Sequence, residues 1–191
     1  MRHLIIYAHP HEESLNYALF KTVIDTLTAD ENHELIIRDL NAIQFDPVLS
    51  SKDLQDQRMG TPADDIRKEQ EYMAWAECIT FIYPIWWTGL PAIMKGYIDR
   101  VFTYGFAYRY DQGIQKGLLT GKKTVIINTH GKSRGEYEKS GMDQALLLTS
   151  DQGIFSYCGL NIIRHFFFDR ADRAAAEQVE KWQQQIRSVY S

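Results

Sequence analysis

A doubly wound α/β fold, a five-stranded parallel sheet with helices on both faces, is what this sequence of 191 residues predicts. Three observations carry that reading. Short, unbroken apolar runs recur along the chain; each is followed by a stretch with helical apolar spacing; and the two kinds alternate from the first residues to the last. Right-handed crossovers between parallel strands put the helices on both faces, so the strands between them are buried and read as continuous apolar runs.

Leu4 to Ala8 is the first such run, closed by His9-Pro10. From Ser14, a candidate N-cap, the residues Leu15, Leu19, Val23 and Leu27 recur every fourth position and lay one stripe on a helix. Glu34 to Leu40 is the second strand. The stretch from Asn41 to about Asp65, with Pro47, Gly60 and Pro62, reads as irregular and is long for a connector, which points to a functional or packing loop. A short helix over Ile66 to Ala76 leads to the third strand, Cys78 to Tyr83, stopped by Pro84. Ile93, Tyr97, Ile98 and Val101 then fit a helix opening near Pro91. Lys123 to Thr129 is the fourth strand, followed by a glycine-containing loop and a helix over about Met142 to Tyr157. Asn161 to Phe168 is the fifth. The last helix spans Ala174 to Tyr190, with Val179, Trp182, Ile186 and Val189 facing one way. One domain over residues 1–191 is expected from this length.

Composition excludes several classes. With 45% apolar, 13% aromatic and 24% charged residues, the chain has the balance of a globular protein. Twenty-one basic against twenty-five acidic residues give a net charge of −4 with no block of one sign, which argues against a nucleic-acid binder. The cysteines, Cys78 and Cys158, lack CxxC spacing and sit in apolar segments, as expected of buried thiols in a reducing compartment. The N-terminus enters a strand at once, without an export leader, and the run from Cys78 to Trp87 is far shorter than the roughly 20 residues of a spanning helix. A cytoplasmic protein is expected.

In such sheets ligands bind beyond the carboxyl ends of the strands, which singles out the loops after Ala8, Tyr83 and Asn128. The first has neither the G-x-G-x-x-G nor the G-x-x-x-x-G-K-[ST] pattern. What it offers is a helix N-terminus with Ser14, Asn16 and the His9 imidazole as added donors, a set that suits a phosphate. The same residues fit equally well a plain Ser14 cap with His9 on a turn carbonyl. His9-x-His11 has no second ligand cluster to support it, so no metal site is expected. After the third strand, Pro84-Ile85-Trp86-Trp87-Thr88-Gly89 supplies a stiff apolar wall for a planar ligand, with a protein interface as the alternative use of its indoles. The third loop has Thr129, Gly131 and Tyr137, which allow close backbone approach and a phenol hydrogen bond. Tyr104 to Tyr110 alternates aromatics, Phe106, Tyr108 and Tyr110 among them, and suits a substrate wall, a dimer contact, or both.

The stretches Ala8-His9-x₄-Ser14-Leu15-Asn16-Tyr17, Pro84 to Gly96, Asp99-Arg100-Val101-Phe102 and Gly105-Phe106-Ala107-Tyr108 together resemble the flavodoxin-like NAD(P)H:quinone oxidoreductase family. The resemblance covers almost the whole chain and is most specific from Pro84 to Tyr108. It implies a bound flavin, FMN with FAD as the alternative, and two-electron hydride transfer from NADH or NADPH through that flavin to a quinone by a ping-pong mechanism. By the same resemblance His9, Ser14, Leu15 and Asn16 hold the flavin phosphate, and Pro84, Ile85, Trp86 and Trp87 line the isoalloxazine. Thr129, Gly131 and Tyr137 close over its other edge, with Tyr137 as the candidate catalytic donor. Phe106, Tyr108 and Tyr110 wall the substrate site of the other subunit in a homodimer. The family also contains flavin-bound ancillary proteins of membrane potassium-efflux transporters, so a regulatory subunit docked on such a transporter is the second implied role. The sequence departs from the mammalian members in carrying Asp143 where they have a histidine, and in one extra residue between Thr129 and Tyr137. A one-electron carrier would call for a hydroxyl- and glycine-rich phosphate loop and a strongly acidic surface, neither of which is present.

Overall fold

A computed structural model describes residues 1–190; Ser191, the last residue of the expected domain, lies outside the described residues. The sheet contains β1 (Arg2–Tyr7), β2 (Glu34–Asp39), β3 (Cys78–Pro84), β6 (Lys123–Thr129) and β7 (Asn161–Phe168), and its order is β2-β1-β3-β6-β7 with every pairing parallel. The order reverses direction at β1/β3, and the loops after those strands open onto a common crevice.

Successive residues of the central strands feed opposite faces. Leu4, Ile6, Ile79, Phe81 and Ile126 pack under α3 (Asp64–Trp75) and α4 (Ala92–Val101). Ile5, Tyr7, Ile82, Val125 and Ile127 pack under α1 (Leu15–Thr28) and α7 (Ala176–Tyr190), where Trp182 and Ile186 are buried. The expected strands and the covering of both faces are therefore observed. The expected full burial of every strand is not, because β2 and β7 are the sheet edges and leave residues such as Glu34, Ile37 and Ile163 exposed.

Three segments differ from expectation. The stretch read as irregular contains α2 (Ser51–Met59), opened by a reciprocal Ser50–Asp53 capping box and closed by Gly60 at φ 69°. The aromatic patch runs into an antiparallel hairpin, β4 (Tyr108–Asp111) and β5 (Ile114–Gly117), turned at Gln112 and Gly113, both with positive φ. Past β6, α5 (Arg134–Ser140) occupies the stretch read as loop, and the helix expected over 142–157 is α6 (Met142–Leu146) running into a wider π-type helix, Leu147–Ser156.

α2 and its flanks dock on α4 through charge and close contact. Arg100 donates to Asp46 O at 2.9 Å, to Asp65 Oδ2 at 3.0 Å and to Asp53 Oδ1 at 3.1 Å. A Cβ placed on Gly96 would lie 2.1 Å from Pro47 O, so the backbones meet where only glycine fits.

Candidate cofactor cleft

The loops after β1, β3 and β6 meet in an open cleft of about 250 Å³. Its floor begins at the N-terminus of α1. Ser14 Oγ accepts from Tyr17 N at 3.1 Å, which caps the helix and leaves the Leu15 and Asn16 N–H groups without helical acceptors. Ser14 thus caps α1, and the capped end faces the cleft. Asn16 is buried, donates through Nδ2 to Thr129 Oγ1 at 2.8 Å, and keeps an Oδ1 with no partner. This bond ties the first loop to the end of β6.

His9 stands at the mouth. Its Nδ1 sits between the His11 backbone N–H at 3.1 Å and the His11 carbonyl oxygen at 3.2 Å, accepting from the one or donating to the other according to the tautomer. Burial holds its pKa below the ordinary histidine value, partly countered by the His11 backbone contact. The ring lies 5.6 Å from that of Trp86, which joins the polar end of the cleft to its aromatic end.

After β3 the chain makes a tight turn in which Trp86 and Gly89 exchange backbone hydrogen bonds, both 3.1 Å. Trp87 and Thr88 hold it with φ of 50° and 58°, a left-handed conformation that bulky and β-branched residues rarely adopt. Ile85 donates its N–H to Thr129 O at 2.8 Å, fixing this wall to β6.

Of the residues expected to hold a cofactor, His9, Ser14, Leu15, Asn16, Pro84, Ile85, Trp86, Thr129 and Gly131 all line the cleft. Trp87 does not: its side chain is wholly exposed at the turn tip. Tyr137 does not either. Its position on α5 stacks its ring on His130, 4.4 Å between centroids and 6° from parallel, facing a neighbouring cavity. Burial raises its pKa, eased by Lys132. Phe106, Tyr108 and Tyr110 do not line the cleft. Phe106 packs on the core, Tyr108 borders a groove with Tyr104 and Tyr157, and the Tyr110 hydroxyl meets that of Tyr157 at 3.1 Å.

His130, Ala171 and Asp172 complete the cleft and carried no sequence signal. His130 is pinned at both backbone ends, its N–H donating to Phe168 O and its O accepting from Ala171 N, each at 3.0 Å. Burial lowers its pKa, and its Nδ1 has no partner. Arg173 Nη2 donates to Gly131 O at 3.0 Å, and a Cβ on Gly131 would sit 3.6 Å from Asp172 Oδ1, so the segment before α7 closes this side. Among the described residues no group of three or more His, Cys, Asp or Glu side chains is placed to hold a metal ion. No helix among them is long and apolar enough to cross a membrane.

A parallel sheet of this order with its crevice at the β1/β3 reversal defines a flavodoxin-like α/β protein. The chain belongs to the family described as having a flavodoxin-like fold, whose profile matches residues 1–189. It is 35% identical over 184 residues to an uncharacterized NAD(P)H oxidoreductase of Haemophilus influenzae, covering 93% of this chain and 91% of that one. It is 34% identical to NAD(P)H dehydrogenase [quinone] 1 of Cavia porcellus, over 85% of this chain and 66% of the relative. The fold is shared with an FMN-dependent NADH-azoreductase from Bacillus anthracis str. Ames Ancestor solved in complex with FMN, at TM-score 0.74 and 17% identity, covering 99% of this chain and 97% of that one.

Proposed function

We propose that the protein is a flavin-dependent NAD(P)H:quinone oxidoreductase that carries FMN in the cleft. The observation that supports this most is the cleft's own polarity: a capped helix N-terminus with free N–H groups at one end and Trp86 at the other, with His9 between them. That arrangement fits a ligand with a phosphate tail and a flat ring. The unpartnered Asn16 Oδ1 fits a hydroxyl of the linking chain, and the missing side chain of Gly131 leaves room for that chain to pass.

Bound flavin would supply the hydride chemistry, accepting two electrons from NAD(P)H and passing them to a quinone. The protein's part is to bind and orient. Leu15 and Asn16 N–H groups and the His9 imidazole meet the phosphate. Pro84, Ile85 and Trp86 wall the ring, Thr129 and Gly131 border its other side, and Asp172 presents a carboxylate acceptor at the rim. The exposed Trp87 folds over the ring on loading, since the strained turn that carries it is held by only one backbone pair. Tyr137 reaches the ring's edge by leaving its stack on His130. Reductant and acceptor use the same cleft in turn, and Phe106, Tyr108 and Tyr110 close it from a second subunit in a homodimer working in the cytoplasm.

Denaturing the purified protein and chromatographing the released chromophore tests the cofactor. FMN in near-equimolar amount is the expected result; FAD would correct the cofactor, and no chromophore with none taken up on incubation would overturn the reading. Parallel double-reciprocal plots are expected when the quinone is varied at several NADPH concentrations, and intersecting lines would contradict the alternating use of one cleft.

A further inference from the structure

At the amino edge of the sheet, the end opposite the cleft, a cavity of about 400 Å³ lies among the starts of β1, β3 and β6, the turn from α1 to β2, and the end of α7. Two histidines line it. His3 belongs to β1, pairs across the sheet with Leu35 and Cys78, and is 2% exposed. His33 belongs to the turn, and its side chain is 16% exposed. His3 Nε2 meets His33 Nδ1 at 3.0 Å, with the rings 72° apart. Two further bonds clasp the turn to the strand: Glu34 N–H donates to Met1 O at 3.0 Å, and the Met1 amine donates to Asn32 O.

Facing nitrogens at this distance leave room for a single hydrogen between them. One added proton is accommodated, because a charged His33 donates Nδ1–H to His3 and turns Nε2–H toward Asp30 Oδ2, 3.7 Å away. A second is not. It sets N–H against N–H and puts a second cation in a buried place, and the other His3 nitrogen, Nδ1, has no partner to share the charge. The groups packed around His3 do not compensate. Burial, the His33 ring and the Met1 amine bring its pKa down to about 4, with Glu77 opposing the fall and Lys123 adding to it. Arg2 in turn draws Glu77 to itself, at 3.6 Å. The Cys78 thiol, pushed up to about 11 by burial, and the Tyr190 phenol, bonded to Thr80 Oγ1 at 2.7 Å, bring no negative charge.

We propose that His3 and His33 form an acid-sensitive latch, closed while His3 is neutral, which opens when both rings are protonated by swinging residues 30–33 off the sheet. The turn moves rather than the strand, because β1 is paired on both sides, with β2 and with β3, whereas His33 already reaches solvent. Opening joins the cavity to solvent and uncovers Cys78, which is 2% exposed when the latch is closed. Once open, His3 takes up its proton at the ordinary histidine value of about 6.5. The opening equilibrium is therefore level above that pH and grows about tenfold per unit as pH falls from there toward the closed-state value. Nothing in the latch touches the cleft, so it stands independently of the flavin reading.

The test uses Cys78 as reporter in the full-length protein carrying Cys158→Ser, which leaves one thiol to react. Its rate with 4,4′-dithiodipyridine is followed from about pH 7.5 to 4.5 and divided by the rate of the same protein in denaturant at each pH, which cancels the ionisation of the thiol. The protection so obtained is expected to be level above about pH 6.5 and to fall about tenfold per unit below it, while far-ultraviolet circular dichroism stays native. His33→Gln places beside His3 an amide that both donates and accepts, and is expected to reduce the fall to less than about twofold per unit. Protection that does not change with pH would overturn the proposal. So would a fall that coincides with loss of circular dichroism, or one that is undiminished in His33→Gln. If that variant does not fold, the imidazole proton resonances of the wild-type protein decide the question. His3 still neutral at about pH 5.5 supports the latch, and His3 protonated at that pH with Cys78 still protected overturns it. A colourless sample contradicts the flavin reading alone and leaves this test unchanged.

Discussion

Two connections leave the carboxyl edge of the sheet and are built in opposite ways. The chain after β2, residues 41–65, is held down by the buried guanidinium of Arg100, reaching Asp46, Asp53 and Asp65, and by the contact of Gly96 with Pro47. The chain after β3 is tied to β6 at its start by the Ile85 N–H on Thr129 O, but beyond that its turn is closed by one exchanged pair of backbone hydrogen bonds, keeps two non-glycine residues at positive φ, and leaves the Trp87 indole 100% exposed. Folding alone explains the first connection. It does not explain the second, since strain and a bare indole persist where something other than stability selects them. The difference separates a static prop from a surface kept open for a ligand.

Removing the prop's charge should have the largest effect. Arg100→Ala leaves Asp53, whose side chain is 10% exposed, without its cation, and is expected to cost about 3–5 kcal/mol in denaturant unfolding. A loss below about 1 kcal/mol, the value of an exposed pair, would mean that the segment is only loosely docked. Gly96→Ala forces a Cβ into Pro47 and is expected to cost about 1–3 kcal/mol by the same measurement. An unchanged midpoint would show that the two backbones part without penalty.

Acid should release the prop before the rest. Burial pushes the Asp53 carboxyl up, but the Ser50 hydroxyl and N–H, together with Arg100, outweigh it and hold the pKa below the ordinary value. Its contribution is therefore full above the unfolded-state pKa of about 4 and is lost as pH falls through the lower folded value. Pepsin cleavage within residues 51–59 should rise below about pH 4 while helical circular dichroism persists, and Asp53→Asn should remove that step. Cleavage independent of pH in the native protein would contradict it. The smallest stability effect belongs to the other connection. Trp87→Ala should change unfolding by no more than about 0.5 kcal/mol, yet lower the flavin retained through purification. Unchanged flavin content would remove Trp87 from the site.

The contrast also shows what a sequence can disclose. β1, β3 and β6 are legible because they are buried on both faces and so are apolar throughout. α2 is not, because its apolar residues Leu54 and Met59 are exposed and its docking runs through charge, leaving no stripe to read. The β4–β5 hairpin was hidden by the aromatics around it, although Gln112-Gly113 is a turn signal. α5 carries a readable Ser133-x-x-Glu136 capping box that the glycines beside it obscured. Within the site, residue types were legible and directions were not: helical or strand spacing tells where a side chain points, whereas nothing in a loop sequence turns Trp87 outward. Ala171 and Asp172 lie about forty residues beyond Gly131, which only the tertiary fold brings beside them.

The central claim is that the cleft holds a flavin that mediates two-electron transfer, and visible absorption of the purified protein tests it most directly. The spectrum is recorded as isolated, after anaerobic NADPH, and again after menadione. A yellow protein that loses its colour in one step with NADPH and regains it with the quinone is the predicted result. A protein that is colourless and takes up no flavin, or one that stays yellow with both NADPH and NADH, would contradict the account.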